Sequence, residues 1–284
     1  MLRVALSHDV DRVNKHYQYF THFTKKILKG NWIDAKYHLG TLFSKEEPYW
    51  NFPEIIRIEE DLGIKSTFFF LDETIPFRLF DKKNWQLSLG RYNIREKKIM
   101  EIMQYLDKNG WEIGVHGSYL SYNNEELLKK EKNNIEDIIG HKVTGTRQHY
   151  LNRDESTWAI QKKLGFKYDS TWGHTKGFGI KDSKVLPFKP FDDEFTVIPL
   201  MLMDIPFMET EKRWEQYKQL VKQLDEQNGI LVINWHQRVF NEKEFPFYKD
   251  AYVRIIEDCK EKSARFDTLA GFYKEINEKD ENNN

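Results

Sequence analysis

The sequence predicts an α/β fold, a distorted (β/α) barrel of about seven parallel strands with helices on the outside. Short apolar runs rich in β-branched and aromatic residues alternate with amphipathic segments, and this alternation is typical of a mainly parallel sheet covered by helices. No glycine-rich phosphate fingerprint follows the first strand, which disfavours an open doubly wound sheet. A length of 284 residues suits one barrel domain.

Strands and helices follow one another in a regular order. Pro53 suits the first turn of a helix and Gly63 its C-terminal cap, and the same unit of helix and strand recurs toward the C-terminus. The predicted strands cover residues 2–6, 65–71, 111–116, 143–147, 167–169, 196–200, 230–236 and 265–269. The predicted helices cover residues 53–62, 95–108, 125–139, 154–164, 210–227 and 248–262.

Residues 1–276 are expected to form one domain, because no linker long enough to separate two domains interrupts this order. Residues 14–50 carry many aromatic and basic groups and exceed an ordinary loop in length, so they predict a helical insertion over one end of the domain. Residues 277–284 are polar and predict a disordered tail.

The composition excludes several classes of protein. With 44 Lys and Arg against 45 Asp and Glu, nothing argues for nucleic acid or an anionic membrane as the principal partner. A single cysteine, Cys259, excludes an intrachain disulfide and a cysteine zinc cluster and fits a reducing compartment. No apolar run approaches the roughly 20 residues of a membrane span, and no secretory signal precedes the first strand. We therefore expect a cytoplasmic protein; its oligomeric state is not predicted.

Two carboxylates stand at the end of the first strand, in Ser7-His8-Asp9-Val10-Asp11-Arg12. Side chains alternate along a strand, so Asp9 and Asp11 point the same way. Like charges so close disfavour double ionisation unless a cation lies beside them. An isolated pair of this kind is usually a solvated turn, so its meaning depends on partners elsewhere in the chain.

Such partners stand at the ends of later strands. His116 follows the third strand, Arg147 and His149 the fourth, Asp169 the fifth, and His236 ends a strand near the C-terminus. In a parallel barrel these ends lie on one face, where the active site forms. A single strand-end histidine is more often structural, but polar residues at successive strand ends together indicate a functional site.

Five motifs and one aromatic strand carry a resemblance to a known family. They are His8-Asp9-Val10-Asp11, Ser66-Thr67-Phe68-Phe69-Phe70, Glu112-Ile113-Gly114-Val115-His116-Gly117-Ser118, Arg147-Gln148-His149-Tyr150, Tyr168-Asp169-Ser170-Thr171 and Leu231-Val232-Ile233-Asn234-Trp235-His236. In this order the chain resembles polysaccharide deacetylases of the NodB-homology type, carbohydrate esterase family four, over about residues 2–270. The resemblance implies a barrel of the NodB type with a single catalytic domain.

The resemblance also implies a divalent metal, expected to be Zn²⁺, and roles for the residues around it. Asp11 and His116 are implied as metal ligands, Asp9 as the general base, and Arg147 as the group that holds Asp9. A metal lowers the pKa of bound water from 15.7 toward about 7, which gives a nucleophile at neutral pH. An adjacent arginine is expected to keep Asp9 ionised.

The remaining implied roles concern the oxyanion and the leaving group. Tyr150 is implied to offer its backbone N–H to the oxyanion, and Asp169 to orient His236 as the general acid that protonates the departing amine. Asp204, which follows a later strand, is either a contact to a sugar hydroxyl or a solvated loop residue.

One position departs from the family pattern. The second motif normally supplies another histidine four residues after the first, and Leu120 stands there. We expect His149 to be the third ligand, since it restores a set of two histidines and one carboxylate. The alternatives are an oxygen from Ser118, Ser121 or Asn123, or a site without a third ligand.

The resemblance therefore implies hydrolysis of an N-acetyl group, or an O-acetyl group, on a saccharide or glycoconjugate substrate. The missing export signal favours an intracellular saccharide. Two alternatives remain open: a hydrolase of another carbon–nitrogen amide bond, and a saccharide-binding relative that has lost catalysis with its metal site.

Overall fold

One curled parallel sheet organises the protein. The computed structural model describes residues 1–15, 19, 23, 24, 27, 28, 30, 32–43 and 47–281. Its strands are β1 (Arg3–Val10), β2 (Thr67–Leu71), β3 (Glu112–Gly117), β4 (Gly145–Gln148), β5 (Tyr168–Asp169), β6 (Thr196–Val197), β7 (Leu202–Met203), β8 (Ile230–Asn234) and β9 (Arg265–Phe266). Their order in the sheet is β6-β5-β4-β3-β2-β1-β8-β7, and β9 pairs with the first residues of β1. Every pairing between these strands is parallel.

The predicted distorted (β/α) barrel is confirmed, with nine strands in the described residues instead of about seven. The run predicted over 196–200 ends early as β6, and the chain forms β7 only after Pro199. Proline has no N–H to offer a strand ladder, which explains the break.

Helices alternate with the strands. They are α1 (Trp32–Phe43), α2 (Phe52–Asp61), α3 (Lys82–Ser88), α4 (Lys97–Lys108), α5 (Glu125–Ile139), α6 (Thr157–Lys163), α7 (Asp204–Glu209), α8 (Arg213–Glu226), α9 (Tyr248–Glu261) and α10 (Leu269–Glu281). The described helices include none that is both long and apolar enough to cross a membrane.

Two segments were predicted to lie outside the regular barrel, the insertion over 14–50 and the tail over 277–284. The insertion predicted over 14–50 lies partly outside the described residues. Its described part includes helix α1. At the other end, α10 continues to Glu281, past residue 277 where a disordered tail was predicted to begin.

Alternation along the strands separates two apolar clusters. Phe68 and Phe70 face the larger cluster between the sheet and its helices, while Phe69 belongs to a smaller cluster with Ala5 and Val232. Register places Asp9 beside Phe69 in the neighbouring strand, so Asp9 shares the inner side of the curl with this smaller cluster. The carboxyl end of β1 therefore delivers its acidic side chains to the mouth of the barrel.

Candidate active site

A cavity of about 940 Å³ opens at the carboxyl ends of the strands. The residues predicted for the site that line it are Asp9, Asp11, His116, His149, Tyr150 and His236. The sheet brings together side chains that are more than 200 residues apart in the sequence, and the cavity falls within the size range of small-molecule sites.

Two buried hydrogen-bond donors, one from β4 and one from β8, hold the Asp9 carboxylate. Its Oδ1 accepts a hydrogen bond from Arg147 Nη1 at 2.9 Å, and its Oδ2 accepts one from Asn234 Nδ2 at 2.7 Å. Burial alone would raise the pKa of Asp9, but the positive charges of Arg147, His116 and His236 together outweigh it and hold the pKa below its usual value. Arg147 is itself fixed by Ser7 and by Ser170. The predicted pairing of Arg147 with Asp9 is present.

Asp11, His116 and His149 converge from the ends of β1, β3 and β4. His116 Nε2 lies 3.2 Å from Asp11 Oδ1, and His149 Nε2 lies 3.6 Å from the same oxygen. One ligand atom from each of the three residues lies within 4.8 Å of the others. Leu120, at the position of the family's second histidine, is 47% exposed and does not line the cavity.

Hydrogen bonding fixes the tautomer of His116. Its Nδ1 lies 2.8 Å from the Arg147 carbonyl oxygen, which can only accept, so Nδ1 carries the proton and donates it. In the neutral ring Nε2 is then an acceptor, and it faces another acceptor in Asp11 Oδ1. Two acceptors at this distance repel each other unless a positive charge lies beside them.

The same atoms fit a divalent metal. Asp11 Oδ1 is buried without a hydrogen-bond partner, a state that ordinarily costs free energy. Burial lowers the pKa of His149 to about 3, so this imidazole is neutral and can act as a ligand at neutral pH. Zinc bonds of about 2.0–2.1 Å in tetrahedral geometry place neighbouring ligand atoms about 3.3 Å apart, close to the two distances from Asp11 Oδ1.

His236 is oriented by Asp204. The two Asp204 carboxylate oxygens lie 3.0 and 2.9 Å from His236 Nδ1, and His236 Nε2 lies 3.5 Å from Asp11 Oδ2. Burial alone would lower the pKa of His236, but the negative charges of Asp204 and Asp11 together outweigh it and raise the pKa above its usual value. The protonated form of His236 is therefore favoured, and its Nε2 can donate the proton.

The predicted orientation of His236 by Asp169 is wrong. The Asp169 carboxylate accepts hydrogen bonds from Trp158 Nε1, Gln161 Nε2 and both the N–H and the hydroxyl of Thr171. These bonds tie β5 to α6 and to the following loop. The sequence contained Asp204 but gave no signal that it faces His236, because the pairing of β7 with β8 is not visible along the chain.

Arg238 is a second residue that the sequence analysis missed. Its Nη1 donates to Asp11 Oδ2 at 2.6 Å, and its side chain lines the cavity. The charges of His236 and Arg238 help to hold the pKa of Asp11 well below its usual value, although burial alone would raise it. Asp11 is therefore a carboxylate whose Oδ2 is neutralised by protein and whose Oδ1 faces the two imidazoles.

The turn after β4 is strained where it meets the cavity. Tyr150 and Leu151 have φ values of 59° and 54°, a left-handed conformation that costs energy for residues other than glycine. The Tyr150 ring lies 4.5 Å from the His149 ring and is 45% exposed. Strain of this kind is common at functional sites, and here it directs the chain sharply past His149.

A curled parallel barrel with its polar cavity at the carboxyl ends of the strands defines the class of the protein as a (β/α)-barrel enzyme. The model of a family described as "WbmS-like: Polysaccharide deacetylase" matches residues 95–252. This match spans more than half of the chain, and the chain belongs to the polysaccharide deacetylase family. It is a hydrolase of carbon–nitrogen bonds other than peptide bonds.

Solved structures share the fold at low sequence identity. A protein from Mycobacterium smegmatis described as a polysaccharide deacetylase is 16% identical, with 98% of this chain and 91% of that chain covered and a TM-score of 0.61. One from Pseudomonas aeruginosa PAO1, also described as a polysaccharide deacetylase, is 14% identical, with coverage of 96% and 90% and a TM-score of 0.61. The PuuE allantoinase is 15% identical, with coverage of 96% and 89% and a TM-score of 0.60. No curated protein matches the chain.

Proposed function

We propose that the protein removes N-acetyl groups from a saccharide and that Asp11, His116 and His149 hold a divalent metal, expected to be Zn²⁺. The observation that carries this proposal is Asp11 Oδ1, a buried carboxylate oxygen without a hydrogen-bond donor that faces two imidazole nitrogens. A carboxylate and two neutral imidazoles are ligands that suit zinc and leave positions open for water and substrate.

A metal held there would supply Lewis acidity, which lowers the pKa of water and polarises the acyl carbonyl. Asp9 is the base in this scheme. Its lowered pKa keeps it ionised at neutral pH, and its Oδ2 lies 3.8 Å from His116 Nε2, which places a proton acceptor beside the proposed ligand set. Arg147 and Asn234 fix the direction of the carboxylate.

The other reaction partner is the acid. Asp204 raises the pKa of His236, which favours the protonated ring. The Nε2 of His236 faces the cavity side of Asp11, so it can protonate the amine as the carbon–nitrogen bond breaks. The strained turn at Tyr150 presents its backbone N–H as a donor for the oxyanion in this scheme. Hydrolysis then yields acetate and a free amine on the sugar.

The test is metal binding by a variant at the third ligand. His149→Ala should weaken zinc binding by more than about 100-fold, because loss of a group behind a ligand already costs 10- to 100-fold. Leu120→Ala is the matched control and should bind zinc as the wild type does. Zinc affinity is measured by competition with a chelator, and acetate release is measured on N-acetylated and O-acetylated sugars. Hydrolysis of allantoin, which has no acetyl group, is measured separately as its disappearance.

Unchanged zinc affinity in His149→Ala would contradict the proposed ligand set. Acetate release from O-acetylated sugars alone, or turnover of allantoin alone, would redirect the assignment within hydrolases. A protein that binds zinc and N-acetylated sugars but releases no acetate would contradict the proposed activity and leave a binding function.

A further inference from the structure

An exposed apolar loop stands beside the cavity. We call residues 76–89, which follow β2 and include α3, the apolar loop. Large apolar side chains of a folded domain are normally buried, and a contiguous exposed group marks an interaction site. The exposed members here are Phe77 (48% exposed), Leu79 (59%), Phe80 (98%), Trp85 (38%) and Leu89 (36%).

Several backbone polar groups of the apolar loop are hydrogen-bonded within the loop. Asn84, itself buried, accepts a hydrogen bond from the Arg78 N–H at 2.6 Å and donates one to the Pro76 carbonyl at 2.8 Å. The Trp85 indole N–H lies 3.1 Å from the Arg78 carbonyl oxygen and 2.9 Å from that of Leu79. The carbonyls of Pro76, Arg78 and Leu79 can therefore enter an apolar phase without being left unsatisfied.

The apolar loop is also locally basic. Residues 76–89 contain three basic residues, Arg78, Lys82 and Lys83, against one acidic residue, Asp81, whereas the whole chain has a net charge of −1. The balanced total therefore hides a positive segment. Lysine and arginine next to exposed aromatic and aliphatic side chains are the combination found where proteins lie on anionic membrane surfaces.

The apolar loop is joined directly to the candidate active site. Gln86, on α3, lines the cavity, and its carbonyl accepts a hydrogen bond from Arg12 Nη2 at 2.8 Å. Gly90, just beyond the loop, lets the Arg12 side chain approach so closely that an added Cβ would lie 2.6 Å from its Nε. Arg12 follows Asp11 in sequence, so a surface held against the loop lies next to the cavity mouth.

We propose that the apolar loop docks the protein on an anionic lipid surface, with Leu79 and Phe80 entering the interface and the positive charge of residues 76–89 attracting the headgroups. The docking itself does not depend on the proposed function. Its consequence does: the cavity would take saccharides presented at a membrane surface, such as those attached to a lipid.

The test is sedimentation with vesicles of phosphatidylcholine alone or with about one third phosphatidylglycerol. The wild-type protein should bind the anionic vesicles and be released by high salt, since each basic residue near the surface contributes roughly fivefold to partitioning. The variant Leu79→Glu/Phe80→Glu should lower partitioning by about 100-fold, because each apolar side chain contributes roughly tenfold. Leu186→Glu, at a 48% exposed leucine outside the loop, is the control and should bind as the wild type does.

Two outcomes overturn the docking proposal: wild-type protein that stays in the supernatant with anionic vesicles, or a loop variant that binds them as well as the wild type. A dimer in solution that Leu79→Glu/Phe80→Glu dissociates, without vesicle binding, would assign the loop to a second copy of the chain and reject the lipid surface. Acetate release from a water-soluble N-acetylated oligosaccharide should be equal in the wild type and the loop variant. Failure of the wild type in that assay contradicts the proposed function and leaves the vesicle result unaffected.

Discussion

Replacing Asp204 by asparagine removes one negative charge from behind His236 and keeps the side-chain shape. In the structure both carboxylate oxygens contact His236 Nδ1, and they also accept backbone N–H groups, Oδ1 from Ile205 at 2.5 Å and Oδ2 from His236 at 2.6 Å. Asparagine has one acceptor oxygen and one NH₂ group. The variant therefore loses the negative charge, and its side-chain NH₂ group faces a backbone N–H, which is also a donor.

The magnitude follows from what Asp204 does to the imidazolium. A buried hydrogen bond to a charged group is worth about 1.5–3 kcal/mol, and each 1.36 kcal/mol changes the ratio of protonated to neutral ring tenfold. Without Asp204 the effect of burial, which lowers the pKa of His236, is opposed only by the charge of Asp11. At a pH above the histidine pKa of both proteins, Asp204→Asn should therefore have a kcat roughly 10- to 100-fold lower than the wild type.

The assay is kcat for acetate release as a function of pH. A general acid is active while protonated, so kcat falls as pH rises through the pKa of His236, and this alkaline limb should move to lower pH in Asp204→Asn. Asp169→Asn is the matched control, because Asp169 is also buried and fully hydrogen-bonded but contacts α6 and Thr171. An unchanged alkaline limb in Asp204→Asn, or an equal displacement in Asp169→Asn, would refute the assignment of Asp204 as the partner of His236.

Two further predictions concern other buried charges. Arg147→Gln should move the acid limb of the pH profile to higher pH and lower kcat about 10- to 100-fold at neutral pH, because it removes the largest charge that opposes the effect of burial on the pKa of Asp9. Arg147→Lys, which keeps the charge, should restore most of the limb's position, and equal profiles for the two variants would contradict this. Burial raises the pKa of Glu131 from 4.5 to about 8, so the folded protein binds the proton more tightly and loses stability as pH rises between these values. Glu131→Gln removes that loss. Between pH 5 and pH 8 the wild type should therefore lose about 1–3 kcal/mol more of its free energy of unfolding than Glu131→Gln does. Parallel curves of Tm against pH for the two proteins would contradict this prediction.

Local signals placed many elements correctly in the sequence. The helix predicted over 125–139 has the bounds of α5, because both ends carry their own caps. The Asn124 side chain accepts the Leu127 N–H at 3.1 Å, and Gly140 takes a φ of 83° that favours glycine while its N–H donates to the Glu136 carbonyl. Strand-end motifs likewise predicted Asp9, Asp11, His116, Arg147, His149 and His236 as one group, and these side chains meet at one mouth of the barrel.

Totals over the whole chain were less informative than local patterns. The balance of charge argued against an anionic membrane as the principal partner, but a sum over 284 residues cannot register a local positive excess such as that of residues 76–89. Exposure is also invisible in the sequence. Phe80 and Phe70 have the same side chain, yet Phe80 is 98% exposed and Phe70 is fully buried, and only the fold distinguishes them.

The partner of His236 was missed because sheet topology, and not order along the chain, decides which carboxylate it meets. Asp169 ends β5, which lies near one edge of the sheet order, whereas His236 follows β8 near the other edge. β7 pairs with β8 in parallel, with Met203 beside Asn234, so the next residue of each chain segment, Asp204 and Trp235, leaves the sheet at the same level. The first turn of α7 then brings the Asp204 carboxylate back onto His236. In a parallel barrel, therefore, the acid that positions a strand-end histidine is best sought at the end of the neighbouring strand in the sheet.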